Sequence, residues 1–299
     1  MKLSKAIYSF LASRLTQGQA RANHPRIETI AVNGGFTGVL IDNQDAGLAM
    51  NIRAGNSLNA SDVELLRGLI GVPALEVGRL AFETPGGPQG FLLTSLGIAA
   101  LSALSQPFLR EPGCLTDYGI GWRPSGFQEV VDRDVSPCSV VTMVGFGGAV
   151  RQVAQKAKAV YVPELAPDLF RSLIVNRNGA RQGPCRVHLL PAQEVGEALS
   201  GADLVLITAC TLVSQTLDQI LDLCASRAKP AIIYGPTASL VPHPFFLHPQ
   251  VTKVTTLRVT NGVGLMEILA EGGVGQERFF GEVSENLTFY RTGDGNRLN

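Results

Sequence analysis

The chain has 299 residues, 45% hydrophobic and 17% charged, a balance that suits a packed globular protein and excludes long disordered tracts. Lys plus Arg and Asp plus Glu are both 25, so the formal charge is zero, and aromatics reach only 6%. Neither a basic stripe nor a stacking platform for nucleic acid is indicated, and the length suits two domains.

In chain order, Lys2 and Lys5 precede an apolar stretch, a superficial likeness to a secretion signal running from Met1 to Thr16. Arg14 interrupts that stretch, and Ala6, Ile7, Phe10, Leu11 and Leu15 fall at helical spacing, so an amphipathic first helix is expected. Residues 27–32, 36–41 and 46–52 read as strands separated by Asn33-Gly34-Gly35 and Asp42-Asn43-Gln44-Asp45. Strands on such short loops must form an antiparallel meander. Asn59 to Asp62 caps a helix through Ile70. After the break Thr84-Pro85-Gly86-Gly87-Pro88, residues 90–104 form a nearly all-apolar helix, expected to be buried on most sides. As an apolar run it falls short of the about 20 residues a bilayer crossing needs. Within it, Gly97 and Ala99-Ala100 leave room for another element to come close. Residues 106–138 are turn-rich and hold Trp122, and the boundary is placed near 125: residues 1–125 an α+β domain, 126–299 an α/β domain.

The second half alternates. Strands are expected at 140–144, 159–162, 186–190, 204–207, 231–234 and 251–257, with helices at 149–158, 194–199, 214–225 and 264–271. Apolar strands alternating with helices imply a parallel sheet covered on both faces. Residues 171–184 are polar and read as a surface insertion. The five cysteines, Cys114, Cys138, Cys185, Cys210 and Cys224, form no C-x-x-C pair. Mostly buried free thiols in a reducing, cytoplasmic setting are expected.

In an open α/β sheet, ligands bind beyond the carboxyl ends of the strands. Three such ends concentrate small and hydroxyl residues: Gly145-Phe146-Gly147-Gly148, Thr208-Ala209-Cys210-Thr211 and Gly235-Pro236-Thr237-Ala238 followed by Ser239. Their backbone N–H groups and hydroxyls would make a cradle for an anion or a polar ligand. Strand, glycine turn, helix, strand and then Glu164 is also the order of a dinucleotide-binding βαβ unit, where the acid holds a ribose. Val150 stands at the third glycine of that fingerprint. Glu164 suits a ribose, a cation or a substrate amine. Cys210, ahead of a helix, is a candidate soft-metal ligand whose pKa a helix N-terminus would lower. His243 and His248 do not have the spacing of a helical metal site, and surface or capping roles are expected for them, His24 and His188.

Residues 93–104, Leu-Thr-Ser-Leu-Gly-Ile-Ala-Ala-Leu-Ser-Ala-Leu, resemble the Ser-x-Gly-x-Ala-Ala-x-Asn-Ala helix of a family of uncharacterised prokaryotic proteins. Gly235-Pro236-Thr237-Ala238-Ser239-Leu240, residues 203–221 and residues 140–147 are similar to its other signature segments. Ser102 replaces the helix Asn, Ala238 departs from the family's Thr-Pro, and Gln215 stands where Asn or Asp is usual. The resemblance covers residues 27–273 and implies an enolase N-terminal-like domain followed by a Rossmann-like domain, with a role in heavy-metal chelation. It also implies a site between the two, which Thr37 and Ser95 would face.

The expected function is therefore binding of a metal ion or metal complex, with Glu164 and Cys210 as candidate metal ligands and a heavy-metal ion as the one cofactor considered. A nucleotide- or S-adenosyl-dependent enzyme using Gly145 and Glu164 is the first alternative, a non-catalytic sensor or scaffold the second. The partner is expected to be a small molecule or metal, with no nucleic acid or membrane. Phe245-Phe246-Leu247 is an apolar segment suited to a homodimer contact.

Overall fold

The protein, known here from a computed structural model, is described over residues 2–18, 24–52, 58–87, 90–177, 179–183, 186–272 and 281–293. Met1, Pro88, Pro184 and Cys185 of the expectations above lie outside the described residues. The first helix, α1, is Leu3–Gly18; β1 (Ile27–Val32), β2 (Phe36–Ile41) and β3 (Ala46–Met50) then form the expected three-stranded antiparallel meander. Helices α2 (Ala60–Gly68), α3 (Ala74–Gly78), α4 (Leu80–Glu83) and α5 (Phe91–Arg110) follow. Asn59 caps α2 through a reciprocal box with Asp62.

Helix α5 runs six residues past its expected end, with Pro107 inside it. It is thus long enough by length and composition to cross a membrane, but 83% of its apolar window is buried in the protein. It is a core helix. It covers one face of the meander, while α11 (Gly262–Ala270) covers the other, packing Leu265 and Met266 near Phe36, Leu40 and Leu48.

The second sheet has eight strands. Beginning at its first strand in the chain, β4 (Ile120–Arg123), the chain continues through α6 (Phe127–Asp134), β5 (Val140–Val144), α7 (Ala149–Lys156) and β6 (Ala159–Glu164). A two-stranded antiparallel hairpin, β7 (Ser172–Asn176) and β8 (Gly179–Gly183), then precedes β9 (Val187–Pro191). The segment expected to be a polar surface insertion forms this hairpin; its first strand carries Leu173-Ile174-Val175 in a row, without the alternation that marks a half-buried strand. Next come α8 (Val195–Ser200), β10 (Leu204–Thr208), α9 (Cys210–Val213), α10 (Leu217–Ser226), β11 (Ala231–Tyr234), β12 (Val251–Val259), α11 and β13 (Ser284–Arg291).

The strand order is β4-β13-β12-β11-β10-β5-β6-β9. The six strands from β12 to β9 are parallel, and β13 runs antiparallel between β12 and β4. Side chains alternate across this sheet. Val205 and Ile207 join the core with α1, α5 and α10, whereas Leu204 and Leu206 join Val131 of α6 and Val150 and Val153 of α7 on the opposite face. Both faces are therefore covered, as the apolar runs require.

Two expectations about the surface are corrected. Phe245 and Phe246 are buried in the chain's own core, and only Leu247 is exposed, so that segment offers little apolar surface to a second subunit. Of the four described cysteines Cys224 is buried and Cys210 half-buried, while Cys114 and Cys138 are exposed because each sits in a turn or short 3-10 segment. Burial holds the Cys224 thiol up at about 11.

His243 lies against Tyr118 and Phe10, ring centroids 4.4 and 5.4 Å away, and burial, reinforced by Arg14, pulls its pKa below the usual histidine value. His248 shifts the same way, burial outweighing Asp218 and Asp222. A histidine kept neutral in the fold is protonated more readily in the unfolded chain. Stability is thus expected to be complete above the ordinary value of about 6.5 and to fall as pH drops through it. Thermal melts at neutral and mildly acidic pH should show a smaller acid loss for His243→Gln than for the wild type; equal losses would remove His243 from the account.

Candidate functional site

In sequence the chain makes β5, moves outward to β6 and β9, then returns to build β10, β11 and β12 on the other side of β5. The order reverses between β5 and β10, and the crevice beyond the carboxyl ends of such strands is where open α/β sheets bind ligands. A cavity of about 1200 Å³ lies there. Twelve of the residues singled out above line it: Gly145, Phe146, Gly147, Gly148, Glu164, Thr208, Ala209, Cys210, Thr211, Gly235, Pro236 and Thr237. Ala238, Thr37 and Ser95 do not. Ala238 is fully buried behind its loop, and Thr37 is buried on β2. Ser95 donates its hydroxyl to the Met50 carbonyl at 2.9 Å. The Met50 N–H in turn donates to Thr237 Oγ1 at 2.9 Å, so the end of β3 is tied both to α5 and to the loop after β11.

The cradle of free N–H groups expected from the three loops is mostly spent inside the protein. Gly145 N–H donates to Pro163, Ala209 N–H to Tyr234 and Gly235 N–H to Thr255, each to a carbonyl. These bonds lock the strand ends together and satisfy groups that burial would otherwise penalise. Gly145 has φ +90°, and a Cβ there would stand 2.6 Å from Thr208 Cγ2, so the turn needs glycine both for its backbone and for its approach to β10.

Glu164 reaches back onto the glycine turn. The Phe146 N–H donates to Glu164 Oε2 at 2.6 Å and the Ala166 N–H to Oε1 at 3.3 Å. The carboxylate therefore occupies an N–H that a bound pyrophosphate would use, and places a negative charge there. Among the described residues lining the cavity, Glu164 is the one acid and no Lys, Arg or His appears.

Cys210 faces the same space. Thr208 Oγ1 donates to its sulfur at 3.2 Å, and Thr237 also hydrogen-bonds it. Contrary to the sequence expectation, its pKa is raised. Burial of the thiol is the largest cause, with Glu164 adding to it against the Thr208 hydrogen bond; α9 is only a four-residue turn and does not offset this. Burial also pushes the Tyr234 hydroxyl up, with contributions from Cys210 and Glu164, so the three groups share one electrostatic neighbourhood.

Sequence reasoning missed much of the wall. Phe36, Met50 and Asn51 come from the meander, Phe127 from α6, Phe170 from the segment after β6, and Asn286 from β13. Phe127 packs on Tyr234 and Phe146 stacks on Phe170, with centroids 4.5 Å apart in each pair. The resemblance to a two-part fold was the one signal that could have pointed to the meander residues.

A mostly parallel sheet with its crevice closed over by an antiparallel meander defines a class of α/β proteins with a ligand-sized cleft at the strand ends. The chain is of that class, and more can be said: a sequence model of the DUF364 family, described as "Putative heavy-metal chelation", matches residues 129–289, more than half of the chain. The protein belongs to this family. Its fold is similar to that of a DUF364 protein of unknown function from Desulfitobacterium hafniense, at 15% identity and a TM-score of 0.65, over 96% of this chain and 99% of that one. It is equally similar to a DUF364 protein of unknown function from Pyrococcus horikoshii, at 22% identity and a TM-score of 0.64, with the same coverage. Among curated proteins, none matches the chain.

Proposed function

We propose that the protein binds a metal ion or a metal complex in this cleft, with Glu164 and Cys210 as the side chains that meet it. The observation that carries the reading is the Glu164 carboxylate lying on the glycine turn, in a cavity whose lining offers no cation among the described residues. A cationic ligand is favoured there over the pyrophosphate of a dinucleotide, whose charge would meet a carboxylate instead of a free N–H. The thiol adds a soft donor, consistent with the family's description.

The donor set does not fit a resident ion held by protein alone. No group of three or more His, Cys, Asp or Glu side chains among the described residues could hold one. Closed structural sites use about four such ligands. The metal is therefore read as cargo, and no catalytic step is assigned to it.

The test is calorimetric titration of Cd²⁺, as the chloride and as small chelates, into untagged protein carrying Cys114→Ser and Cys138→Ser, since those exposed thiols would take up soft ions themselves. A saturable site is expected for at least one form. Cys210→Ser and Glu164→Gln are each expected to weaken it by about tenfold or more, roughly 1.4 kcal/mol. Undiminished binding by both variants would refute the assignment.

A further inference from the structure

The cleft is much larger than an ion, and it does not end at the glycine turn. A second cavity of about 940 Å³ adjoins it and shares Phe146, Gly147, Gly148 and Phe170 with it. The two differ in charge. The first presents Glu164; the second is lined by Arg151 and Arg186 and, among the described residues, by no acid. Both arginines are exposed, and no hydrogen bond or ion pair among the described residues engages either guanidinium. Gly147 and Gly148 line both cavities, and their N–H groups are likewise unused by the described hydrogen bonds. The Phe146 and Phe170 rings, which line both cavities, stack 22° from parallel and give the shared wall a flat apolar surface.

We propose that the natural ligand is a soft metal ion already held by an organic chelator that carries carboxylate groups. The open coordination positions of the metal face Cys210 and Glu164, and the carboxylates of the chelator reach Arg151 and Arg186. The inference rests on the metal reading of the cleft and deepens it. Two protein donors leave most of a metal's coordination sphere empty, and a chelator fills it. A chelate also accounts for the room available, which a bare ion does not need. Finally, guanidinium groups match carboxylates as paired donors, and two of them without partners at one end of a cleft select for such groups.

The experiment compares four probes by calorimetry on the full chain, in the Cys114→Ser, Cys138→Ser background. They are CdCl₂, the Cd²⁺ complex of nitrilotriacetate, the Cd²⁺ complex of tris(2-aminoethyl)amine, which has no carboxylates, and nitrilotriacetate alone. The nitrilotriacetate complex is expected to bind about tenfold tighter than the amine complex, and the variant Arg151→Gln with Arg186→Gln is expected to lose that advantage while binding the amine complex unchanged. Both arginines are exposed, so the variant retains its core. Equal affinity for the two complexes, or an unaffected arginine variant, overturns this inference and leaves the metal reading standing. Nitrilotriacetate binding as tightly without cadmium as with it also overturns it. Failure of every cadmium species to bind, or binding indifferent to both Cys210→Ser and Glu164→Gln, overturns the metal reading itself.

Discussion

Gly97→Ala is expected to lower the melting temperature by roughly 3–6 °C, although alanine is the better helix former by about 1 kcal/mol. Gly97 sits inside α5, where the backbone of α4 crosses it. A Cβ built there would stand 2.2 Å from the Ala81 nitrogen and 2.8 Å from the Leu80 carbonyl carbon. These are backbone atoms, so no side chain can swing aside; α4 must move as a piece or α5 must shift against the meander. Overpacking of this kind costs about 3 kcal/mol, which exceeds the propensity gain. Urea or thermal unfolding of the variant decides the sign. A stabilised Gly97→Ala protein would mean that α4 is loosely held. Gly97, one of the small residues that made a close neighbour readable in the sequence, thus has its partner in α4, while Ala99 lies against Gly47 of β3.

A comparable loss is expected from Asp134→Ala. Lys253 lies in β12, with its side chain only 8% exposed, and its ammonium donates to both carboxylate oxygens of Asp134 at 2.6 Å. Asp134 is the last residue of α6, so the pair joins that helix to the middle of the large sheet. Removing the acid strands a buried cation, which costs about 3–5 kcal/mol. Replacing both partners, as Asp134→Leu with Lys253→Met, should recover most of that loss, because the penalty comes from the unpaired charge and not from the absence of the bond. Chemical denaturation of the single and double variants separates the two. A double variant as unstable as Asp134→Ala would show that the packing of α6, and not the charge, sets the cost.

Legibility of the fold followed burial. The strands that form the centre of the large sheet, such as Val140–Val144, Leu204–Thr208 and Ala231–Tyr234, are covered on both faces and stand out as apolar, β-branched runs. At the margins the signal fades. Ile120-Gly121-Trp122-Arg123 is too short to show a period, and β13 mixes Ser, Glu, Asn and Thr among its apolar residues. The β7–β8 hairpin is polar along much of its length. In the cleft, the three loops at strand ends were readable from their small residues, since turn chemistry is local. The direction of the Glu164 side chain was not, because a carboxylate folding back onto the Phe146 N–H depends on the spacing of β5 and β6. Nor was the state of Cys210. Its position ahead of a helical turn suggested an acidified thiol, but burial, which no pattern in one segment reveals, has the larger effect. Gln215 is a further case: it adopts φ +58°, a left-handed conformation that Asn and Asp tolerate better than most residues. Here the glutamine keeps the place through its amide, which donates to the Thr84 carbonyl and to Thr94 Oγ1.

The position of β13 has a practical consequence. It pairs with β12 on one side and with β4 on the other, and β4 precedes residue 129, where the family-matched segment begins. A fragment cut to that segment would lack β4 and leave β13 as a bare margin, its outward N–H and C=O groups open to pairing with other copies. Expression of residues 129–289 alone is thus prone to yield soluble aggregates or inclusion bodies, whereas a fragment starting ahead of Ile120 keeps that margin sealed.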